Sequence, residues 1–563
     1  MKLQALILFV CTICFYASCQ TTKQRSPTFH QHSFSKADTL RGKLSPERTC
    51  YDVRFYDLKV GVYPITKTII GEVDIVFTAT RDFDRLQIDL YKNLKIDSII
   101  YRGSPVVFER LYNAVFVQLP SIKKGATDQF TVYYQGTPIV ASNPPWSGGF
   151  IWTKDQRGRD WVAVACEGAG ASIWWPNKDH LSDEPDSMMI RITVPEKLFC
   201  VANGNLTDTY PVANNRRRFD WRVSYPINNY NVSINIGDYV QFSETYQAED
   251  QTTMPLDYYV LSYNLEKAKE HFQQVNGILK CFESLLGKYP FWDDGYGLVE
   301  TPYLGMEHQG AIAYGNKYMR GYKGGMIPAD MNWDYIIVHE TGHEYFGNSI
   351  SCNDHAEMWI HESFTTYLEA LYVECSASYE DYLRYLQVFR SKDYIKNRKP
   401  IVGPMHVNYT AFDSSDHYFK GSWILHTIRH AIGDDELWFK LFRDFYTQFS
   451  MNHVNTETII DWFDQRTRLN LTPIFQQYLF YPSIPKLVYS LKQKGKNLIL
   501  THQWITGVEN FEMPLLVGNP SYYQRIKVKN QKGKVNLGRM NMADFRIATD
   551  RFLIEVEEVE EVE

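Results

Sequence analysis

The sequence has no CxxC pair beyond residue 20, no long basic stripe, no internal repeat of roughly 20–50 residues and no apolar run long enough to cross a bilayer. Each absence excludes something. The chain carries 59 Lys and Arg against 65 Asp and Glu, a net charge of −6. A nucleic-acid binder needs clustered positive charge, so that partner class is excluded. Of nine Cys, Cys11, Cys14 and Cys19 precede residue 20. The other six, Cys50, Cys166, Cys200, Cys281, Cys352 and Cys375, are scattered, so neither a disulfide framework nor a thiolate metal site follows. They are expected to be buried small hydrophobes. What is present is ordinary globular material: 44% hydrophobic and 22% charged residues, with aromatics at 15%. At about 150 residues per domain, 563 residues suggest three or four domains.

The N-terminus reads as an export signal. Lys2 precedes an apolar run from Leu3 to Tyr16, then Ala17, Ser18 and Cys19. Tyr16-Ala17-Ser18-Cys19 resembles a bacterial lipobox, with Tyr at an atypical first position, and would make Cys19 a lipid anchor. The alternative is ordinary signal cleavage at the same small residues. Either way the protein is expected to be exported, to the periplasm or cell envelope, touching a membrane only through that anchor. Residues 20–48, rich in Ser, Thr, Gln, Lys and His, read as a tether.

The rest reads as a multidomain α+β chain. Short alternating runs such as Val73–Thr78, Ala114–Leu119 and Met189–Val194 place a β domain over 49–251. Apolar spacing turns helical near Leu265, so 252–484 is expected to be mainly helical. Strands return over 485–563, as expected for a small β-sandwich, and the Glu- and Val-rich tail Glu555–Glu563 reads as a solvated acidic end.

The chemistry lies in the helical stretch. Val338-His339-Glu340-Thr341-Gly342-His343 contains HExxH. On a helix, residues i and i+4 share a face, so His339 and His343 can offer two imidazole nitrogens to one ion. Glu340, one residue round, lies beside that ion, where a carboxylate can take a proton from water. Chance is expected to produce roughly 0.02 such matches in a chain of this composition. A catalytic zinc keeps three protein ligands and an open position. Glu362 follows His343 after 18 residues, in an apolar helix that also carries His361. The two point about 100° apart, so one of them faces the ion; the spacing favours Glu362.

HExxH followed after 18 residues by Glu, with Trp359-Ile360-His361-Glu362, resembles the M1 family of zinc aminopeptidases, the gluzincins. Leu304-Gly305-Met306-Glu307-His308 looks like the family's GxMEN motif, with Leu304 for its first Gly and His308 for its Asn. Tyr418-Phe419-Lys420-Gly421 looks like its YxKG motif, and Cys166-Glu167 ahead of Trp174-Trp175-Pro176 resembles the N-domain segment that reaches the active site. Ser363 stands where the family usually has Gly. The resemblance implies a saddle-like β domain, a thermolysin-like catalytic domain and a C-terminal β-sandwich, without the large C-terminal helical domain of longer members. It implies one Zn2+ per chain on His339, His343 and Glu362. Glu340 would be the general base and Tyr418 the oxyanion donor; Glu307, assisted by Glu167, would bind the substrate's α-ammonium, with Gly305, Met306 and His308 in the pocket. The implied substrates are peptides with a free N-terminus. The alternatives are an epoxide-hydrolase-like use of the same metal and a non-catalytic peptide-binding member.

Overall fold

The computed structural model describes residues 34–408 and 414–562. The signal sequence, Cys19 and the tether up to residue 33 lie outside the described residues. The last part of the expected tether is folded. Helix α1, Lys36–Gly42, starts at a capping box in which Ser35 and Asp38 satisfy each other's backbone N–H, and α2, Pro46–Thr49, follows with Pro at its start. Arg48 is fully buried against Asp89, so 34–49 are an arm of the fold and not a spacer.

The N-terminal β region is built on an eight-stranded sheet. Its centre is the hairpin of Tyr51–Tyr63 with Thr68–Ala79, and Tyr51–Tyr63 also pairs in parallel with Ser187–Pro195. Tyr56, Leu58, Val60 and Val62 face the core in period-two alternation, and an irregularity between Val53 and Phe55 shifts the register so that Val53 is buried as well. A second sheet, containing Gly149–Lys154 and Asp160–Ala165, ends at Cys166-Glu167 and delivers that segment inward.

The expected boundary at 251/252 cuts a hairpin. Tyr239–Gln247 pairs with Thr253–Leu261 over its full length, and both belong to one five-stranded sheet with Tyr296–Glu300, Gly305–Met306 and Ile312–Tyr314. That sheet leads into helices α3 (Leu265–His271), α4 (Gln274–Leu286), α5 (Tyr335–Tyr345), α6 (Trp359–Ser376), α7 (Tyr379–Val388), α8 (Phe419–Ile432), α9 (Asp435–Phe449), α10 (Thr456–Arg466) and α11 (Thr472–Phe480). Helix α5 is buried along its whole length and begins at Asp334, whose side chain accepts from the N–H groups of Ile336 and Ile337. Among the described residues no helix is long and apolar enough to cross a membrane.

One cysteine expectation is overturned. Cys281 on α4 and Cys375 on α6 form a disulfide with a Cα–Cα distance of 6.0 Å, while Cys50, Cys166, Cys200 and Cys352 are free and buried as expected. The bond closes a loop across a sequence separation of 94 residues. Replacing both cysteines by Ser is expected to lower stability by about 2–5 kcal/mol. An unchanged urea midpoint in oxidised protein would contradict the bond.

After α11, Lys486–Lys494, Asn497–Ile505, Gly533–Arg539 and Glu555–Glu558 form one sheet, and Glu512–Asn519, Tyr522–Lys529 and Arg546–Ile547 another. The acidic tail is therefore partly structured: Glu555–Glu558 pairs in parallel with Lys486–Tyr489, although its side chains stay exposed.

Candidate metal centre and amine pocket

Helix α5 aligns His339 and His343 one turn apart, with their Nε2 atoms 3.1 Å from each other. Helix α6 packs alongside and brings Glu362 Oε2 to 3.5 Å from His339 Nε2 and 3.3 Å from His343 Nε2. Those three separations are close to the edge of a tetrahedron around an ion with bonds of about 2.1 Å, roughly 3.4 Å. Glu362 Oε2 is buried and accepts no hydrogen bond. A buried anionic oxygen left bare beside two imidazole nitrogens is a cation site.

The far sides of the rings are fixed. His339 Nδ1 lies 2.5 Å from Glu369 Oε1, and Glu369 also accepts from the Tyr385 hydroxyl. His343 Nδ1 lies 2.9 Å from the Phe346 carbonyl oxygen. With each Nδ1–H donated there, both Nε2 lone pairs turn inward. Burial opposes charge on these rings, but Glu362 and its neighbouring carboxylates still raise His339 well above its ordinary value and His343 to about 9. The pocket is thus electrostatically built for positive charge, and its donors, two imidazoles and a carboxylate, fit zinc.

Glu340 also lies in this cluster, its carboxylate within 4.8 Å of the ligand atoms of His339 and His343. Two carboxylates therefore compete for the third ligand position. Glu362 is nearly equidistant from the two Nε2 atoms, whereas Glu340 turns toward the strand Gly305–Met306. A Cβ on residue 305 would fall 2.6 Å from Glu340 Oε1, so Gly305 is what makes room for that carboxylate. Burial pushes the Glu340 carboxyl up to about 8. His361 drops out as the rival ligand: its Nε2 accepts from the Cys352 N–H at 2.9 Å, and burial lowers it to about 3.

Tyr418 sits just before α8, its ring stacked on His339 with centroids 6.0 Å apart. Burial and the Glu362 carboxylate keep its phenol protonated, well above its ordinary value. Ser363 has a task beyond filling a helix: its Oγ donates to the His417 carbonyl at 2.7 Å. A Cβ on Gly421 would fall 1.7 Å from that Oγ, so Ser363 and Gly421 fit each other. Lys420 is buried and donates to the carbonyls of Tyr481 and Pro482, pinning α8 to the segment after α11.

A second pair of acidic residues, Glu307 and Glu167, lies close enough to Glu362 for their charges to interact. Glu307 Oε1 accepts from the Tyr230 hydroxyl at 3.1 Å, and Asn348 Nδ2 holds the Glu307 carbonyl at 2.8 Å. Cys166 Sγ donates to the Tyr230 carbonyl, so Tyr230 joins the Glu307 and Glu167 segments. Burial, and then repulsion from Glu307, drives Glu167 well above the carboxylate range; burial also raises Glu307. The buried Glu307 and the half-buried Glu167 repel each other, a pairing that a cation bound beside them would relieve. Met306 and His308 are buried, and neither ring nitrogen of His308 has a hydrogen-bond partner. Burial lowers His308 to about 3, so it is neutral.

The fold thus groups His339, Glu340, His343 and Glu362, stacks Tyr418 on His339, sets Gly305 beside Glu340 and links the Glu307 and Glu167 segments through Tyr230. The supporting residues Glu369, Tyr385, Tyr230 and Asn348 were not foreseen. Glu369 alone left a trace, seven residues after Glu362 and so on the same helical face.

Residues 263–478 match the family model described as the peptidase family M1 domain. Over that stretch the chain resembles an M1 peptidase domain. Aminopeptidase N of Escherichia coli (strain K12) is 21% identical over 292 residues, covering 49% of this chain and 33% of that protein. Tricorn protease-interacting factor F2 of Thermoplasma acidophilum is 22% identical over 408 residues, covering 70% of this chain and 48% of its own length. The chain therefore spans between a third and a half of these relatives. Among solved structures, a two-domain M1 zinc metallopeptidase mutant bound to L-tryptophan matches with a TM-score of 0.66 at 20% identity, over 79% of this chain and 98% of that one. An M1 zinc metallopeptidase mutant from Deinococcus radiodurans, bound to a Tyr-Ser-Ala substrate, matches at 0.64 and 20% over the same shares. At that identity the likeness is one of fold: a large β-rich N-terminal region joined to a helical M1 domain.

Proposed function

We propose that the protein is a zinc aminopeptidase hydrolysing the first peptide bond of peptides with a free N-terminus. The observation that carries this is the pairing of a three-ligand cation site with a second pair of carboxylates whose charges interact with it. His339, His343 and Glu362 would hold the ion, which when bound supplies a Lewis acid and lowers the pKa of water toward about 7.

The protein's own groups do the rest. Glu340 takes a proton from the attacking water and returns it to the departing amine. Tyr418, protonated and stacked against His339, donates to the carbonyl oxygen as charge develops there. Glu307 and Glu167 hold the α-ammonium and so set the distance from the chain end to the bond that breaks. A mid-chain peptide brings no ammonium and leaves the buried Glu307 and half-buried Glu167 uncompensated, which disfavours endopeptidase action. Gly305, beside Glu340, and the buried Met306 and His308, the chain neighbours of Glu307, would contribute to the substrate pocket. The epoxide-hydrolase alternative draws no support beside a neighbour that holds a tripeptide.

Amino-acid p-nitroanilides are expected to be cleaved, with kcat/KM falling by about 10³-fold or more on N-acetylation, since acetylation removes the charge both carboxylates need. Equal rates on the two substrates refute the exopeptidase reading. The same proposal places the protein outside the cytoplasm, anchored through Cys19. The Leu3–Tyr16 signal supports this, and so does the Cys281–Cys375 disulfide, a bond that persists in oxidising compartments. The two C-terminal sheets are read as a β-sandwich, their buried Leu487, Leu500, Trp504, Leu515 and Val517 supplying its core.

A further inference from the structure

The loop Glu167-Gly168-Ala169-Gly170 is held both by its own β region and by the arm that precedes it. Its internal bonds are a tight pair, the Ala169 N–H to the Glu167 carbonyl and the Gly170 N–H to the Cys166 carbonyl, both 2.7 Å. Gly168 and Gly170 have φ of 69° and 85°, so the turn requires glycine at both ends. From the β region the Tyr91 hydroxyl donates to the Ala169 carbonyl at 3.4 Å and Gly148 packs on Ala169; the shorter bond to that carbonyl comes from the N-terminal arm. Arg41, at the end of α1, donates through Nη2 to the Ala169 carbonyl at 2.7 Å and to Asp179 Oδ2 at 2.8 Å, and through Nη1 to the Tyr91 hydroxyl at 2.9 Å. Asp179 in turn accepts from the Ser172 N–H and hydroxyl. The guanidinium and carboxylate lie flat on Gly170: a Cβ there would fall 2.3 Å from both Arg41 Nη2 and Asp179 Oδ2.

The arm itself is fixed at both ends. Arg48 Nη1 donates to the Arg41 carbonyl at 2.6 Å while pairing with Asp89, and Gln87 Nε2 donates to the Leu40 carbonyl. On the side of the helical domain, the Asn408 N–H donates to the Asp38 carbonyl, and Gly42 packs so closely on Val407 that a Cβ would fall 2.2 Å from its carbonyl carbon. Arg41 is thus a buried, three-armed fork whose position is set by both regions and whose target is the backbone two residues from Glu167.

We propose that Arg41 is a positioning residue for amine recognition, fixing the loop that presents Glu167 to the substrate's α-ammonium. The arm that follows the export signal then belongs to the specificity machinery. This rests on the aminopeptidase reading above. The competing role, support of the fold alone, predicts a change in stability with no selective change in binding of the ammonium.

The test is a double-mutant cycle on the full exported chain, with a free amino-acid p-nitroanilide as substrate, crossing Arg41→Ala and Arg41→Lys with Glu167→Gln. Zinc content and thermal midpoint are measured for every variant. Arg41→Ala is expected to raise KM by about tenfold with kcat within about twofold, because ammonium binding is shared by ground and transition states. Arg41→Lys, which keeps charge beside Asp179 but loses the fork, is expected to fall between. In the Glu167→Gln background the Arg41 substitutions are expected to add less than about twofold, because the group they position is gone. An Arg41 effect of equal size in both backgrounds, or a lowered midpoint with KM unchanged, overturns the proposal. If Arg41→Ala does not fold, Arg41→Lys carries the same comparison. Turnover by the wild type with none of these KM effects sinks this inference alone, whereas a wild type that leaves the free-amine substrate uncut sinks the aminopeptidase reading and this one with it.

Discussion

Glu340→Gln protein is expected to bind its full equivalent of zinc and to lose roughly 10²–10⁴-fold in kcat, the range a positioned general base contributes. The amide matches the carboxylate in size, so it fits the space left by Gly305 and leaves α5 packed as before. What it lacks is a site to accept the proton from water. Metal content by mass spectrometry and turnover of a p-nitroanilide, measured on one preparation, separate the roles. The result is informative because Glu340 and Glu362 both lie near the two imidazoles. If Glu340→Gln loses its metal, the third ligand has been assigned to the wrong glutamate.

His343→Ala has the complementary outcome. It removes one of three ligands and leaves Glu362 and Glu307 without the imidazole that faces them. Zinc affinity is expected to fall by more than the roughly 10–100-fold typical of losing an outer-shell partner, and turnover is lost with the metal. Dialysis against a weak chelator followed by metal analysis provides the measurement. Full zinc retention in His343→Ala would refute the ligand set.

The parts of this site legible in the sequence are those fixed by local geometry. HExxH works because a helix puts i and i+4 on one face, and Glu362 follows from the need for a third ligand. The parts that were not legible depend on contacts across the fold. Glu369 reads like any helix glutamate until α6 is laid against His339. The Cys281–Cys375 bond spans too many residues for spacing to suggest it. The domain boundary was misplaced because the helical period begins only near Leu265, which made Tyr239–Leu261 look like the end of the preceding β region. In the arm, the hydrophilic composition that suggested a tether conceals Arg41 and Arg48, which are buried because Asp179 and Asp89 wait for them. The capping box at Ser35 and Asp38 was the one readable sign of order there.

The strand Glu555–Glu558 is the outermost of its sheet, with Lys486–Lys494 on one side and no strand on the other. Such an edge offers a row of unpaired backbone groups to any extended chain that drifts past. Here that row is flanked by the exposed carboxylates of Glu555, Glu557 and Glu558, with Glu560 and Glu561 close behind. Two copies approaching edge to edge bring like charges together before a backbone hydrogen bond can form. With Glu557 paired to Lys486, it is the remaining carboxylates that make such an approach electrostatically unfavourable.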